Sequence, residues 1–220
     1  MLTILVSGSG TDVGKTRVTG ALARAAARAG RAVQIVKPVQ TGIASGEPTD
    51  AELAATFAGL PASCAHTLRR YSAPLAPLAA AAAENASLEI KKVLQEISRL
   101  PPAEMRLIEG AGGIAVPLAA NGWDWVDFAQ TVRADSVVLV VPDQLGAISQ
   151  CRAYFYYLKM KLGRPLPGGV LLNEVTAASP EVKASIRAAL AANEIPLWGE
   201  LAFDALDPVL HPPLAQWFGV

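Results

Sequence analysis

The chain has 220 residues, and its 19 lysines and arginines balance 19 aspartates and glutamates, giving a formal net charge of zero. Neutral charge without a base-stacking motif argues against a nucleic-acid partner, and no apolar run approaches the roughly 18 residues that a membrane span needs. Cys64 and Cys151 are far apart and lack metal-ligand spacing, so they read as free thiols, and with no charged leader region at the N-terminus a cytoplasmic location is expected.

The first predicted strand covers residues 2–7 and runs straight into Gly8-Ser9-Gly10-Thr11-Asp12-Val13-Gly14-Lys15-Thr16. A helix is predicted over 15–29. Strand, glycine-rich turn and helix start follow in the order that a phosphate-binding loop requires. Glycines let backbone N–H groups approach phosphate oxygens, and the helix N-terminus adds partial positive charge. Lys15 is placed to reach the β- and γ-phosphates of a triphosphate, and the Thr16 hydroxyl to hold Mg²⁺. The usual spacing puts a glycine where Ser9 stands; Gly8 supplies it one residue earlier.

A second strand over 32–36 leads into Lys37-Pro38-Val39-Gln40-Thr41-Gly42. In a doubly wound sheet its carboxyl end opens on the same edge as the loop. Lys37 then faces the transferred phosphate, and Thr41 offers a hydroxyl to a substrate. On position alone, Lys37 reads more readily as a solvated charge. A helix over 50–58 begins with Asp50, which by itself reads as a first-turn acid favoured by the helix dipole. The proline- and alanine-rich stretch 61–86 is read as irregular chain with a short helix that could lie over a site. Arg69-Arg70 within it reads as a solvated pair.

A helix over 88–100 precedes a strand over 105–109, which ends in Glu109-Gly110-Ala111-Gly112-Gly113. An acid at the end of a buried strand beside a phosphate-binding loop is placed for a metal or water contact. The glycines permit close backbone approach; the competing reading is a tight turn that begins with glutamate. Together, Thr16, Asp50 and Glu109 would make a hard oxygen site suited to Mg²⁺.

Helices over 125–132, 148–162 and 180–192 alternate with strands over 136–141, 169–172 and 197–201. Ser179-Pro180 reads as an N-cap followed by proline in the first turn. Asn173 ends a strand; its amide matches the edge of an adenine, and a turn-forming role is equally open. The expected fold is a single α/β domain over 1–220, a P-loop NTPase-like parallel sheet with helices on both faces.

Taken together, these segments resemble the dethiobiotin synthetase family. The resemblance rests on Gly8 to Thr16, Lys37-Pro38-Val39 with Thr41-Gly42, Thr49-Asp50-Ala51, Glu109 to Gly113, Leu145-Gly146, Asn173 and Gly199-Glu200. It implies an enzyme that uses Mg²⁺ and ATP to join CO₂ to 7,8-diaminopelargonic acid, closing the ureido ring of dethiobiotin in biotin synthesis. By resemblance, Lys37 and Lys15 are catalytic. Asp12, Val13, Gly14, Lys15, Thr16, Arg17, Asp50, Glu109, Gly110, Ala111, Gly112 and Asn173 hold the nucleotide, with Thr16, Asp50 and Glu109 around the metal. Thr41, Leu145 and Gly146 serve the substrate, the last two across a homodimer interface. Asp12 stands where many family members have glutamate. The nearest different class, a partitioning-type ATPase switch of the deviant P-loop kind, carries a signature lysine near the start of the loop. Ser9 and Gly10 stand there instead, which argues against it.

Overall fold

Strand-forming runs such as Ser136–Pro142, buried at every position, must be covered on both faces. In the computed structural model, which describes residues 1–162 and 167–219, the chain meets that demand with an eight-stranded sheet. In chain order the elements are β1 (Leu2–Gly8), α1 (Lys15–Arg28), β2 (Val33–Lys37), β3 (Gln40–Thr41), α2 (Asp50–Ala58), β4 (Ala65–Thr67), β5 (Arg70–Tyr71) and α3 (Pro77–Ala83). They continue with α4 (Ile90–Arg99), β6 (Met105–Gly113), α5 (Trp125–Thr131), β7 (Ser136–Pro142), α6 (Ala147–Lys161), β8 (Gly168–Asn173), α7 (Pro180–Ala192), β9 (Leu197–Leu201), β10 (Val209–Leu210) and α8 (Leu214–Phe218).

The strand order is β10-β9-β8-β7-β1-β6-β2-β4, with β3 and β5 pairing separately. Every pairing in the large sheet is parallel except that of β10 with β9. Successive side chains on a strand point to opposite faces, and the core divides accordingly. Ile4, Val6 and Leu107 pack beneath α1, α2 and α8, whereas Leu5, Ile108 and Leu139 pack with Trp125, Phe128 and Ile186 on the other side. Helices thus cover both faces, as the alternation of apolar runs requires. Among the described residues, no helix is long and apolar enough to cross a membrane.

Helix starts follow local chemistry. Thr49 and Glu52 form a capping box at α2, and Asp124 and Asp127 form one at α5. Ser179 accepts from the Val182 N–H at α7, with Pro180 in the first turn, as expected.

The predicted long elements are present with ends shifted by a few residues. The largest shift is in β6, which continues through the glycine run to Gly113 because Gly113 pairs with Gly8 of β1. The stretch 61–86 holds the short helix expected of it, α3, together with β4 and β5. Strands of two or three residues are too short to display a period. The same holds for β10 and α8, which extend the fold beyond residue 201.

The loop between β1 and α1 is positioned by how α1 rests on α2. Gly20 of α1 lies against α2: a Cβ there would sit 2.8 Å from both the Ala54 carbonyl oxygen and the Phe57 Cβ. Gly20→Ala is therefore expected to force the helices apart and to lower stability by about 1–3 kcal/mol in denaturant unfolding. An unchanged unfolding midpoint would show that this contact does not set the helix spacing.

Candidate active site

The sheet order places β1 between β6 and β7, so the loop after β1 lies at the centre of the carboxyl edge. The loop closes tightly. A Cβ on Gly8 would come within 2.7 Å of the Val13 side chain, so the glycine one step early is the one the wrap requires. Asp12 and Gly14 take positive φ values of 58° and 83°. Gly14 precedes α1 and offers no side-chain cap, which leaves first-turn N–H groups open to an anion. Lys15 is only 7% exposed, and its ammonium donates to the Gly10 carbonyl at 2.7 Å. Burial, followed by the nearby Lys37 charge, pushes its pKa down to about 8.

The register of three strands assembles the charges. Val6 of β1 pairs with Glu109 of β6, and Ile108 pairs with Val36 of β2, so Lys37 emerges beside Glu109. Lys37 is 3% exposed and Glu109 is 1% exposed. The Lys37 ammonium lies 2.8 Å from Glu109 Oε1 and 2.6 Å from Asp50 Oδ2. Burial alone would lower the Lys37 pKa, but the two carboxylates outweigh it and hold the group above its usual value. Thr16 donates its hydroxyl to the same Glu109 oxygen at 3.0 Å. The other carboxylate oxygen, Oε2, is buried and has no hydrogen-bond partner among the described residues. Two carboxylates and a hydroxyl, with one buried oxygen still free to bond, fit a hard divalent cation such as Mg²⁺.

Asp50 is held by a residue that sequence reasoning left without a role. The Gln40 amide donates to Asp50 Oδ1 at 3.1 Å and accepts from the Asp50 backbone N–H at 2.8 Å. The available signal was a polar side chain in the run Lys37 to Gly42. The cleft that opens over these groups has a volume of about 770 Å³ and includes Asp12, Thr41 and Gly112 in its walls. Its far side, Pro74-Leu75-Ala76-Pro77, comes from the proline- and alanine-rich stretch, which therefore does lie over the site. Arg69 in that stretch is not a solvated charge but pairs with both Glu96 oxygens, at 2.9 and 2.7 Å.

The remaining predicted residues divide. Glu109 and Ala111 line the cleft, while the Gly110 and Ala111 carbonyls face inward, accepting from Lys37 at 3.4 Å and from the Trp125 indole N–H at 2.9 Å. Asn173 is not placed to read a base. It is fully buried, its amide N–H donates to the Val13 carbonyl at 3.0 Å, and its oxygen accepts from Arg17 at 3.2 Å. Gly14 makes this possible, because a Cβ there would sit 2.1 Å from the Asn173 amide nitrogen. Arg17 turns away from the phosphate side and donates to the carbonyls of Glu174, Ala202 and Ala205. Leu145 is 79% exposed, and Gly146 borders a separate groove along α6. Within one chain neither lines the cleft.

Removing the Asn173 amide leaves the Val13 carbonyl and the Arg17 guanidinium short of a partner. Asn173→Ala should weaken ATP and GTP binding by the same factor, about tenfold for the loss of roughly 1.4 kcal/mol of loop bracing. Calorimetric titration with both nucleotides checks this. A loss confined to ATP would restore the amide as a base reader.

The chain is similar to curated proteins and to solved structures. The chain is 40% identical over 153 residues to ATP-dependent dethiobiotin synthetase BioD of Parafrankia sp. (strain EAN1pec), covering 68% of this chain and 62% of that protein. It is 41% identical over 141 residues to the protein of that name from Rhodococcus jostii (strain RHA1), covering 63% and 60%. A third relative of that name, from Mycobacterium tuberculosis (strain ATCC 25177 / H37Ra), is 40% identical over 158 residues, covering 69% and 66%. The matched part thus spans less than two thirds of each relative's length. Among solved structures, the signal recognition particle receptor FtsY of Elizabethkingia anophelis superposes with a TM-score of 0.59 at 13% identity, covering 99% of this chain and 64% of that one. The signal recognition particle 54 kDa protein of Aeropyrum pernix K1, in complex with GDP, gives 0.55 at 19%, covering 99% and 46%. At these identities the likeness shows the fold alone, a mostly parallel sheet with helices on both faces. The resemblance to dethiobiotin synthetases read from the motifs is borne out by the curated relatives, and a family model described as an AAA domain matches residues 2–206. The chain belongs to that AAA-domain family.

Proposed function

We propose that the chain is an ATP-dependent dethiobiotin synthetase, joining CO₂ to 7,8-diaminopelargonic acid and closing the ureido ring. The observation that carries this reading is Lys37, a buried ammonium that faces the phosphate-binding loop from the next strand. A switch or a simple nucleotide binder has no need of a second buried lysine there. A carbamate meeting a triphosphate does, because two anions must be brought into line.

The reaction assigns work to named groups. One amine of the diamine takes up CO₂ as a carbamate and loses a proton. A carbamate oxygen attacks the γ-phosphate and ADP leaves. The second amine then attacks the carbonyl of the carbamic-phosphoric anhydride, expels phosphate and closes the ring. Lys15 and the loop N–H groups neutralise the triphosphate, and Lys37 bridges carbamate and γ-phosphate. Thr41 holds the nitrogen-bearing end of the substrate. The apolar wall at Pro74 to Pro77 suits the methylene chain. Thr16, Asp50 and Glu109 would hold Mg²⁺, which when bound offsets phosphate charge. The little that remains for the protein is positioning and charge.

The exposed Leu145 at the start of α6 supports a homodimer in which the partner's Leu145-Gly146 segment meets the distal carboxylate of the substrate. Balanced charge supports a small-molecule enzyme without a nucleic-acid partner, here read as one P-loop domain over 1–220 that works in the cytoplasm without a membrane partner.

With Mg-ATP, bicarbonate and diaminopelargonic acid, the protein should release phosphate and form dethiobiotin, detected by mass spectrometry. Phosphate release that ignores the diamine would sink the reading. Lys37→Ala should lower kcat by at least about 10²-fold, the scale of one lost charge-stabilising group, with the circular-dichroism spectrum unchanged. Near-normal turnover would remove Lys37 from the chemistry.

A further inference from the structure

We propose that Lys37 is the resident counter-ion of Asp50 and Glu109, so that a divalent cation reaches these carboxylates only together with a triphosphate. The inference rests on reading Thr16, Asp50 and Glu109 as the metal-holding set.

The Lys37 ammonium already takes the position a cation between these residues would need, 2.6 Å from Asp50 Oδ2 and 2.8 Å from Glu109 Oε1. Thr16 points its hydroxyl hydrogen at that same Glu109 oxygen. A metal bound at that Glu109 oxygen would have to displace both the Lys37 ammonium and the Thr16 hydroxyl hydrogen from it. Lys37 and Glu109 are 3% and 1% exposed, so solvent would screen little of the repulsion between an ammonium and a divalent ion. A free metal ion must therefore displace Lys37 without giving it another anion. Among the described residues, the Gly110 carbonyl at 3.4 Å is the remaining acceptor within reach of Lys37, and a neutral oxygen does not replace two carboxylates.

A triphosphate changes the balance, because its γ-phosphate offers Lys37 a new anionic partner while other phosphate oxygens share the metal. Charge then rearranges without leaving any group unpaired. Gln40 keeps Asp50 in place through two hydrogen bonds during the exchange. Lys37 thus couples metal entry to nucleotide entry, in addition to its part in the chemistry.

The test uses Mn²⁺ alone, without nucleotide, followed by the electron paramagnetic resonance of the free ion. Lys37→Met should bind Mn²⁺ at least about tenfold more tightly than the wild type, since an opposing charge is gone and both carboxylates are released. Lys37→Met combined with Glu109→Gln should lose that gain. Equal affinity in the wild type and Lys37→Met overturns the proposal. A gain that survives in the double variant also overturns it, by showing that these carboxylates do not hold the metal. Should Lys37→Met fail to fold, the wild type still answers through the NMR signal of the Lys37 ammonium. Mg²⁺ alone should leave that signal in place, and Mg²⁺ with a non-hydrolysable ATP analogue should shift it. A shift with the metal alone overturns the proposal. The diamine and CO₂ enter none of these measurements, so failure of the synthetase reading and failure of this one are separable.

Discussion

An ammonium closed off from water has to be matched by negative charge, and the match made for Lys37 organises this carboxyl edge. Glu109 reaches it because β6 lies between β1 and β2 in a register that sets Ile108 against Val36. Asp50 reaches it because a capping box starts α2 at Thr49, one residue before. Gln40 then fixes the Asp50 carboxylate from β3. Removing one partner from a buried pair of this kind leaves an uncompensated charge and costs about 3–5 kcal/mol. The cluster is therefore structural as well as reactive: the strand order that gives the sheet its core also brings these charges together.

The phosphate-binding loop depends on the opposite kind of support. Its ligand-facing groups are backbone N–H groups, whose positions follow from φ and ψ and cannot be adjusted by a rotamer. Positive φ at Asp12 and Gly14 is accessible at low cost only to glycine and a few short polar residues. The end of β8, two strands from β1 in the sheet, supplies the brace, with the Asn173 amide joining the Val13 carbonyl on one side to Arg17 on the other. Arg17 passes the connection to the carbonyls beyond β9. One side of the cleft is thus held by amide and guanidinium hydrogen bonds, mostly to backbone carbonyls, while the other is held by charges that can exchange partners. A site that must bind a triphosphate and then do chemistry on it needs both.

These differences decide what could be read without coordinates. The long strands and helices were legible because apolar runs and alanine-rich stretches carry a period over many residues. Lys15 and Thr16 were legible because strand, loop and helix are contiguous in sequence, so local order is enough. Glu109 could be inferred from its place at a strand end. Asp50 read alone as a helix-dipole acid, because the partner that gives it a role lies on another strand, 2.6 Å away in space. Asn173 reads from sequence as an adenine contact or a turn former, whereas the partner it has depends on the missing Cβ of Gly14 and lies 160 positions away at Val13. Gln40 had no signal beyond being polar. The paired strands β3 and β5 were too short to show any pattern.

The least legible segment is also the one that distinguishes this site from others built on the same loop. Backbone N–H groups and a lysine around phosphates serve any triphosphate chemistry, and fold alone assigns no reaction. What singles out a substrate is the surface opposite the phosphates. Here Pro74 to Pro77, at the start of α3, line the same cleft as Lys37. Proline fixes φ and contributes no N–H, so this wall presents hydrocarbon with few donors, and it shares the cleft with the charged groups of Lys15, Lys37, Asp50 and Glu109. A ligand that satisfies both must carry anionic or nitrogen-bearing chemistry at one end and an apolar chain at the other. A diamino acid with a long methylene chain has that form, whereas a second nucleotide or a sugar would leave polar groups unpaired against the wall. On the proposed synthetase reading, Lys15, Lys37, Asp50 and Glu109 would serve the phosphates and the proline wall the methylene chain of the reactant, stretches of sequence that meet only after folding.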